Sequence, residues 1–244
     1  MRKFFILALL ALIALGLFVT ACNEDNDITD PEDAIWGVGI SRIDNKTETH
    51  GVSVTWLGEE ADFVMPSSLT IEIGGNPISL MQYGQAWMGE TTLNPGQVYN
   101  VKLVINGNTM CDTDLRTVYE AVGDFPPTYD STESAEVSWT LSNDNERQVA
   151  TASSFSLKYN TDSYEQVLSP SDRSFTFPAE AVEDFGAGTS FTLGISQMNI
   201  KTVNDVMLIS SQGITESYMG KSGSSSADPQ TLIGDFLRLA KAVK

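Results

Sequence analysis

The sequence has few of the residues from which catalytic and metal sites are built. Its 244 residues include one histidine, His50, and two cysteines, Cys22 and Cys111. A zinc site needs several His or Cys ligands together, and His50 has neither nearby. The Gly-x-Ser-x-Gly, phosphate-loop and His-Glu-x-x-His motifs are also missing. We therefore predict that the protein is not an enzyme and uses no cofactor or metal, and we expect His50 to lie at the surface or in a turn.

Basic residues are scarce as well. The chain has 14 Lys and Arg residues against 32 Asp and Glu residues, and its formal net charge is −18. This balance excludes nucleic acid as a partner and opposes adsorption to anionic lipid, so partners should be neutral or cationic. Acidic pairs such as Asp112 with Asp114 and Asp144 with Glu146 are expected to be solvated surface charge. Calcium binding or acid–base catalysis by such pairs is the alternative.

What the sequence does have is a distinct N-terminal leader, residues 1–21. Arg2 and Lys3 precede an apolar run that ends in small residues before Cys22, as in a secretory signal peptide. The run of about 16 residues is short for a membrane span of roughly 20. The cysteine directly after the small residues resembles a bacterial lipobox. That resemblance implies cleavage before Cys22, acylation of its thiol and attachment to a membrane of the cell envelope.

An acidic tether, residues 22–34, follows the leader and has almost nothing to bury. Such a composition is typical of a solvated segment. Acids directly behind a lipidated cysteine resemble the export signals of surface lipoproteins, so we expect an outer-membrane lipoprotein that is exposed at the surface. Lipid on Cys22 leaves Cys111 without an intrachain disulfide partner, and we expect Cys111 to be a small apolar residue in or beside a strand.

From residue 35 to 222 the pattern is that of antiparallel β-strands. Alternation with a period of two, rich in Val, Ile, Thr and aromatic residues, indicates strands between turns built from Gly, Pro, Asn and Asp. The predicted strands are Val52–Trp56, Leu69–Ile73, Val101–Ile105, Val137–Leu141, Phe155–Tyr159, Phe175–Phe177, Phe191–Ile195 and Val206–Ser210. Many short strands at this spacing predict an all-β sandwich or barrel.

The β-region repeats itself. Val54-Thr-Trp56 matches Val137-Ser-Trp139, the serines that start at Ser67 match those that start at Ser153, and Tyr99-Asn-Val101 matches Phe191-Thr-Leu193. The repeat predicts two tandem β-sandwich domains, 35–122 and 124–222. Trp56 and Trp139 are expected to lie in the two cores.

These motifs resemble fibronectin type III domains, and other immunoglobulin-like sandwiches could show as much. The tryptophan that ends an alternating strand is similar to a core residue of that family, and Leu93-Asn-Pro95-Gly96-Gln-Val-Tyr99-Asn-Val101 is similar to its Leu-x-Pro-Gly-x-x-Tyr-x-Val signature. The resemblance implies that Tyr99 packs at a corner after a Pro-Gly turn. In the second domain Phe191 stands in place of the tyrosine. The family has no catalytic residues to transfer.

The C-terminal segment, residues 223–244, combines a linker with a predicted helix. Gly and Ser residues lead to Asp228-Pro229, a helix cap followed by proline at the first helical position. From Leu232 to Val243 the apolar residues fall on one face, and Arg238 and Lys241 lie opposite. We expect this amphipathic helix to dock on its own sandwich or on a partner, with a membrane interface as the alternative.

Aromatic residues are the best candidates for a contact site. Tyr83 and Trp87 lie in the Met- and aromatic-rich stretch Met81–Met88, and such side chains stack on sugars or anchor protein interfaces. Packing over the sandwich is the alternative for both. We expect a lipid-anchored envelope protein that binds a protein or glycan through strand edges or loops. The alternative function is a structural or assembly subunit of an envelope complex or a pilus-like structure.

Overall fold

The computed structural model describes residues 31, 34–43, 48–57, 63–129, 133–154, 163–181, 190–219 and 223–224. Within these ranges the secondary structure consists of β-strands, the 3-10 turn Ala179–Ala181 and a 3-10 residue at Pro31, so the predicted all-β class is confirmed. No helix of the described residues has the length and apolarity to cross a membrane. Cys22, the predicted strand Phe155–Tyr159 and the predicted helix Leu232–Val243 lie outside the described residues.

The strands fall into a first and a second set along the chain. The first set is β1 (Trp36–Arg42), β2 (Thr49–Trp56), β3 (Leu69–Ile73), β4 (Asn76–Pro77), β5 (Met81–Tyr83), β6 (Ala86–Thr92), β7 (Val98–Ile105) and β8 (Asn108–Arg116). The second set is β9 (Ala121–Asp124), β10 (Thr128–Tyr129), β11 (Ala135–Leu141), β12 (Arg147–Ser154), β13 (Ser163–Leu168), β14 (Ser174–Phe177), β15 (Ser190–Val203), β16 (Val206–Met219) and β17 (Gly223–Ser224).

The two sets repeat one topology. In the first, β6, β2 and β1 are neighbours in one sheet, and a second sheet has the order β4-β3-β7-β8. In the second, the corresponding orders are β14-β11-β9 and β13-β12-β15-β16. Tyr99 on β7 and Phe191 on β15 therefore occupy equivalent strands, as do Trp56 on β2 and Trp139 on β11. The serine match is different, because Ser67 precedes β3 whereas Ser153 lies near the end of β12.

Each set of strands encloses its own apolar core. The first core packs Val54 and Trp56 of one sheet against Ile71 and Leu103 of the other. The second packs side chains of β9, β11 and β14 against those of β12, β15 and β16. Trp56 and Trp139 are both buried in these cores, which confirms the expectation from the repeat.

The turn before β7 has the geometry that the resemblance implies. Gly96 has a φ of 70°, and a Cβ there would lie 2.4 Å from the Tyr119 ring, so glycine is required. The Tyr99 hydroxyl accepts a hydrogen bond of 2.9 Å from the backbone N–H of Asn94. This is the backward bond of a corner tyrosine in immunoglobulin-like sandwiches.

A long hairpin joins the two cores. Strands β15 and β16 have 14 residues each, about twice the length of most of the others. Phe191 and Tyr218, near the open end, lie in the second core, whereas Val206 and Leu208 at the tip lie in the first. From Val206 to Ser211, β16 pairs in parallel with β1. The two sandwiches therefore share one eight-stranded sheet with the order β13-β12-β15-β16-β1-β2-β6-β5.

The sequence pattern did not predict the shared sheet. The limits 35–122 and 124–222 stay a prediction, and β9 (Ala121–Asp124) extends across the predicted junction. The tip of the hairpin belongs to the second domain by sequence and to the first core by position. A strand that contributes to two cores has no distinctive sequence period, because the side chains in both halves of β16 alternate between the two faces of the sheet in the same way.

Substitution of a hairpin-tip residue should test this coupling. We expect Leu208→Ala to lower the free energy of unfolding by about 2–5 kcal/mol, because the side chain is fully buried. Since β16 is continuous, Trp139 of the second core should report the same shifted urea midpoint as the tryptophans of the first. The exposed Val122→Ala variant should change the stability by less than about 0.5 kcal/mol. Separate midpoints for the two cores would contradict the coupling.

Candidate functional site

The structure places the two predicted contact residues in different environments. Trp87 lies on β6 with only 8% of its surface exposed. Its ring centroid is 5.7 Å from that of Trp36 and 6.4 Å from that of Phe63, and Trp36 packs edge-on against Trp56 at 5.9 Å. These four rings form one aromatic cluster in the first core. The structure shows Trp87 as a packing residue, and its role in a contact stays a prediction.

Tyr83 lies at the end of β5 and is half-buried. Gly84, with a φ of 61°, and Gln85 form the two-residue turn from Tyr83 to Ala86, where β6 begins. The Tyr83 hydroxyl points to the Met81 sulfur at 4.0 Å. Tyr83 and Trp87 thus lie on adjacent strands, with the phenol near the edge of the sheet and the indole inside.

A small exposed surface surrounds Tyr83. Met65 is 52% exposed and Met81 is 49% exposed. The Gln82 amide donates one hydrogen bond to the Met65 sulfur at 3.1 Å and another to the Gly84 carbonyl at 3.0 Å. We call Met65, Met81, Gln82 and Tyr83 the β5 edge. Met65 was missed in the sequence because it precedes β3 and carries no pattern that links it to β5.

The backbone of Gln82, in the middle of β5, is placed for further pairing. β5 ends the eight-stranded sheet, and no strand of the described residues pairs with its outer side. The two-residue turn makes Tyr83 and Ala86 the closing hydrogen-bonded pair, so the next pair, Gln82 and Trp87, is not hydrogen-bonded. The N–H and C=O of Gln82 therefore face outward. An unpaired edge of this kind is a template for strand addition.

Two other sheet edges of the first sandwich are blunted. β4 has only two residues, and one of them is Pro77, which has no N–H to donate. Side chains of the β15–β16 hairpin cover the edge of β8. Lys201 donates to the carbonyl of Asp114 at 2.9 Å, and Asn204 donates to that of Met110 at 3.2 Å. Because these edges are closed, the β5 edge is the better candidate for a contact within the first sandwich.

A chain of buried amides holds the junction between the sandwiches. Gln148 accepts hydrogen bonds from Trp139 Nε1 at 2.8 Å and from Gln197 Nε2 at 2.6 Å. Asn145 donates to Gln197 at 3.2 Å and accepts from the backbone N–H of Tyr119 at 2.8 Å. All three amide side chains are buried. A satisfied buried network of this kind restricts the packing to one arrangement.

The connecting segment, residues 117–121, is bonded along its length. Ser210 Oγ accepts from the Val118 N–H at 3.0 Å, and Gln212 donates to the Ala121 carbonyl at 3.2 Å. Asn199 donates to the Thr117 carbonyl at 3.3 Å. The bonds come from the hairpin, so the segment between the sandwiches is attached to the shared sheet and is not a free hinge.

The single histidine is not at the surface as expected. His50 lies on β2 with its side chain fully buried, and its Nδ1 is 2.8 Å from the Glu48 carbonyl oxygen. Burial lowers the pKa of His50, and the nearby Arg42 guanidinium lowers it further. The expectation was wrong because the polar stretch before His50 suggested a turn, whereas β2 begins one residue earlier at Thr49.

Cys111 is a buried residue of β8, as expected. Burial raises the pKa of its thiol, so little reactive thiolate forms at neutral pH.

Among the described residues no three His, Cys, Asp or Glu side chains are grouped as metal ligands would be. Asp144 pairs with Arg173, and Glu146 accepts from the Ile200 N–H at 2.8 Å.

Comparisons with known proteins add little to this description. No protein-family profile matches the chain, and no curated protein matches it. One similar solved structure is a segment of two fibronectin type III domains from chicken tenascin. It has 16% sequence identity and a TM-score of 0.27, and the match covers 75% of this chain and 97% of that one. A likeness of this size carries no argument about function, so the strand pairing described above carries the fold.

The buried His50 should make stability depend on pH. Its pKa is lowered on folding, so the unfolded chain binds the proton first as the pH falls below about 6.5. We expect the free energy of unfolding to fall between pH 7 and pH 5. His50→Asn keeps a donor for Glu48 but cannot be protonated, so its loss over this range should be smaller. Urea titrations of both chains measure the difference, and equal losses would contradict the interpretation.

Proposed function

We propose that the protein is a non-enzymatic lipoprotein of the outer membrane, exposed at the cell surface, that binds another protein through the β5 edge. Its two fibronectin type III-like sandwiches act as one stiff unit. The observation that carries this proposal is an open strand edge bordered by the exposed Met65 and Met81.

The chemistry of the β5 edge favours a protein partner over a glycan. Sugars stack on exposed aromatic faces, and Trp87 offers almost none because it is buried in the aromatic cluster. Thioether side chains adapt to varied apolar surfaces and are common where proteins bind. The Gln82 backbone can add hydrogen bonds to an extended segment. Since the chain has a net charge of −18, the partner segment should be neutral or basic.

Anchoring is supported by the leader and Cys22. Of the 14 basic residues, Arg2 and Lys3 lie in the leader, so a chain that starts at Cys22 has 12 basic and 32 acidic residues and a net charge of −20. Such a chain has no electrostatic attraction to anionic headgroups. One acyl chain gives only marginal binding to a membrane, and stable anchoring by lipid alone needs more than one acyl chain. Attachment of this protein therefore depends on Cys22.

An assembly subunit is the second candidate function. The open β5 edge also favours it, because pilus-type subunits associate by strand addition at such edges. In that case the strand added at Gln82 comes from another subunit of the assembly. The two functions share the same surface and differ in whether the partner is a separate protein or a repeated subunit.

The anchor is tested by Cys22→Ser. We expect this variant to remain unprocessed or to appear in the soluble fraction, because the acylated thiol is lost. Cell fractionation with mass measurement of the N-terminus gives the result. Cys111→Ser is the matched control and should stay attached, since that thiol is buried in β8. Normal attachment of the Cys22 variant would refute the lipobox.

The β5 edge is tested by photo-crosslinking in cells. A photoreactive residue at position 81 should yield an adduct with one defined partner, and one at the exposed position Val167, in β13 at the far end of the sheet, should not. Adding Gln82→Pro, which removes the outward N–H, should reduce the yield of the adduct at least about tenfold. This corresponds to a loss of about 1.4 kcal/mol in binding free energy. Mass spectrometry distinguishes a foreign protein, a second copy and a glycan. Equal adducts at both positions would contradict a specific site.

A further inference from the structure

Both cores lie on the same face of the eight-stranded sheet. Successive side chains of a strand point to opposite faces. On β16, Leu208 lies in the first core and Ile214 in the second, and both have even numbers. The other sheets of the described residues therefore pack on this face. We call the opposite face, which has the odd-numbered residues of β16, the outer face.

The outer face has an apolar cluster of its own. Val149, Met198 and Ile209 are only 3–7% exposed, and Ile200 and Met207 pack against them. These residues belong to β12, β15 and β16, which are neighbours in the eight-stranded sheet. No member of the cluster comes from another sheet. Within the described ranges, nothing lies above the cluster to account for its burial.

Small hydroxyl side chains extend this buried region across the outer face. They are 1–5% exposed, and they are Ser53, Thr55, Thr151, Ser153, Thr192, Ser196, Ser211 and Ser217. The Thr192 and Ser217 hydroxyls bond to each other at 2.8 Å. The Ser53, Thr55 and Ser153 hydroxyls have no partner among the described residues, so they face a second layer rather than water.

Neighbours within the sheet account for only part of this burial. Met198 stands between Ser211 and Arg147, and Ile209 stands between Gly39 and Ile200. Side chains rise roughly perpendicular to a sheet, so a serine or a glycine leaves the upper part of a methionine or an isoleucine uncovered. The burial of the outer face therefore requires a further layer of protein above the sheet.

We propose that the C-terminal segment, residues 228–244, lies on the outer face as an amphipathic helix. Its apolar arc would cover this cluster, and the residues of the arc are Leu232, Ile233, Phe236, Leu237, Leu239, Ala240 and Val243. Arg238 and Lys241 lie on the opposite side of the helix and face water. The leader is also apolar, but under the lipoprotein function proposed above, on which this step rests, cleavage before Cys22 removes it from the mature protein.

The segment has the length to reach the cluster. The chain leaves the shared sheet at Met219, the end of β16, and β17 (Gly223–Ser224) pairs with β10 in a separate two-stranded sheet. From Met219, residues 220–227 span at most about 26 Å when extended, and a helix over residues 228–244 is about 26 Å long. Together they exceed the roughly 33 Å between Met219 and Ile209 along β16. A helix that runs back along β16 therefore covers the outer face from its open end to Ile209.

Thiol labelling of the mature protein tests this proposal. Ser196→Cys places a reporter on the outer face, and Val167→Cys is an exposed control. We expect Ser196→Cys to react with a maleimide at least about 100-fold more slowly than the control. Adding Phe236→Asp and Leu237→Asp should remove most of this protection. Arg238→Asp with Lys241→Asp, on the polar side, should leave it intact.

The remaining outcomes decide against the proposal. Rapid labelling of Ser196→Cys in the parent chain would mean that the outer face is open. Protection that persists in the Phe236 and Leu237 variant would assign the cover to another segment, and protection that depends on protein concentration would assign it to a second copy. Labelling of the buried Cys111 reports unfolding. If it occurs, Phe236→Ala with Leu237→Ala, which retains helix-forming residues, makes the same comparison without introducing charge.

Discussion

The parallel pairing of β1 with β16 is the interaction on which the rest of the structure depends. It joins two sandwiches of equivalent topology into one eight-stranded sheet. Parallel neighbours need a long connection, and here that connection is almost the whole described chain between Arg42 and Val206. Val206 and Leu208, which lie near the end of the second domain in the sequence, complete the first core. The sandwiches therefore cannot be separated without opening an apolar core.

The buried amides of the junction make this pairing specific. Gln148, Gln197 and Asn145 form hydrogen bonds with one another and with the backbone in place of hydrogen bonds with water. Each bond contributes about 1 kcal/mol net, whereas an unsatisfied amide costs about 1–3 kcal/mol. A change in the register of the hairpin would leave several of these amide groups without a hydrogen-bond partner. The stiffness that results presents the β5 edge and the outer face in one fixed arrangement.

Prediction from sequence succeeded where the signal was local. The alternation in Leu69–Ile73 gave β3 with its observed bounds, and the Pro-Gly turn before Tyr99 was visible as a motif. It failed where burial depends on a distant strand. His50 stands among polar residues, yet β2 continues through it into the sheet. Trp87 packs against Trp36, more than fifty residues earlier in the chain, which is the packing alternative that the sequence left open, and its role in a contact stays a prediction.

Local sequence signals were enough to establish the all-β class, the repeat of tryptophan-bearing strands, and the acidic, cysteine-poor composition that follows a lipobox-like leader. These properties depend on neighbouring residues, because alternation, turns and cleavage signals act over a few positions. Contacts in the folded chain established that one hairpin contributes to two cores, that Met65 lies beside β5, and that the outer face is buried. Those properties depend on residues far apart along the chain, and no local period records which distant strand a given edge will meet.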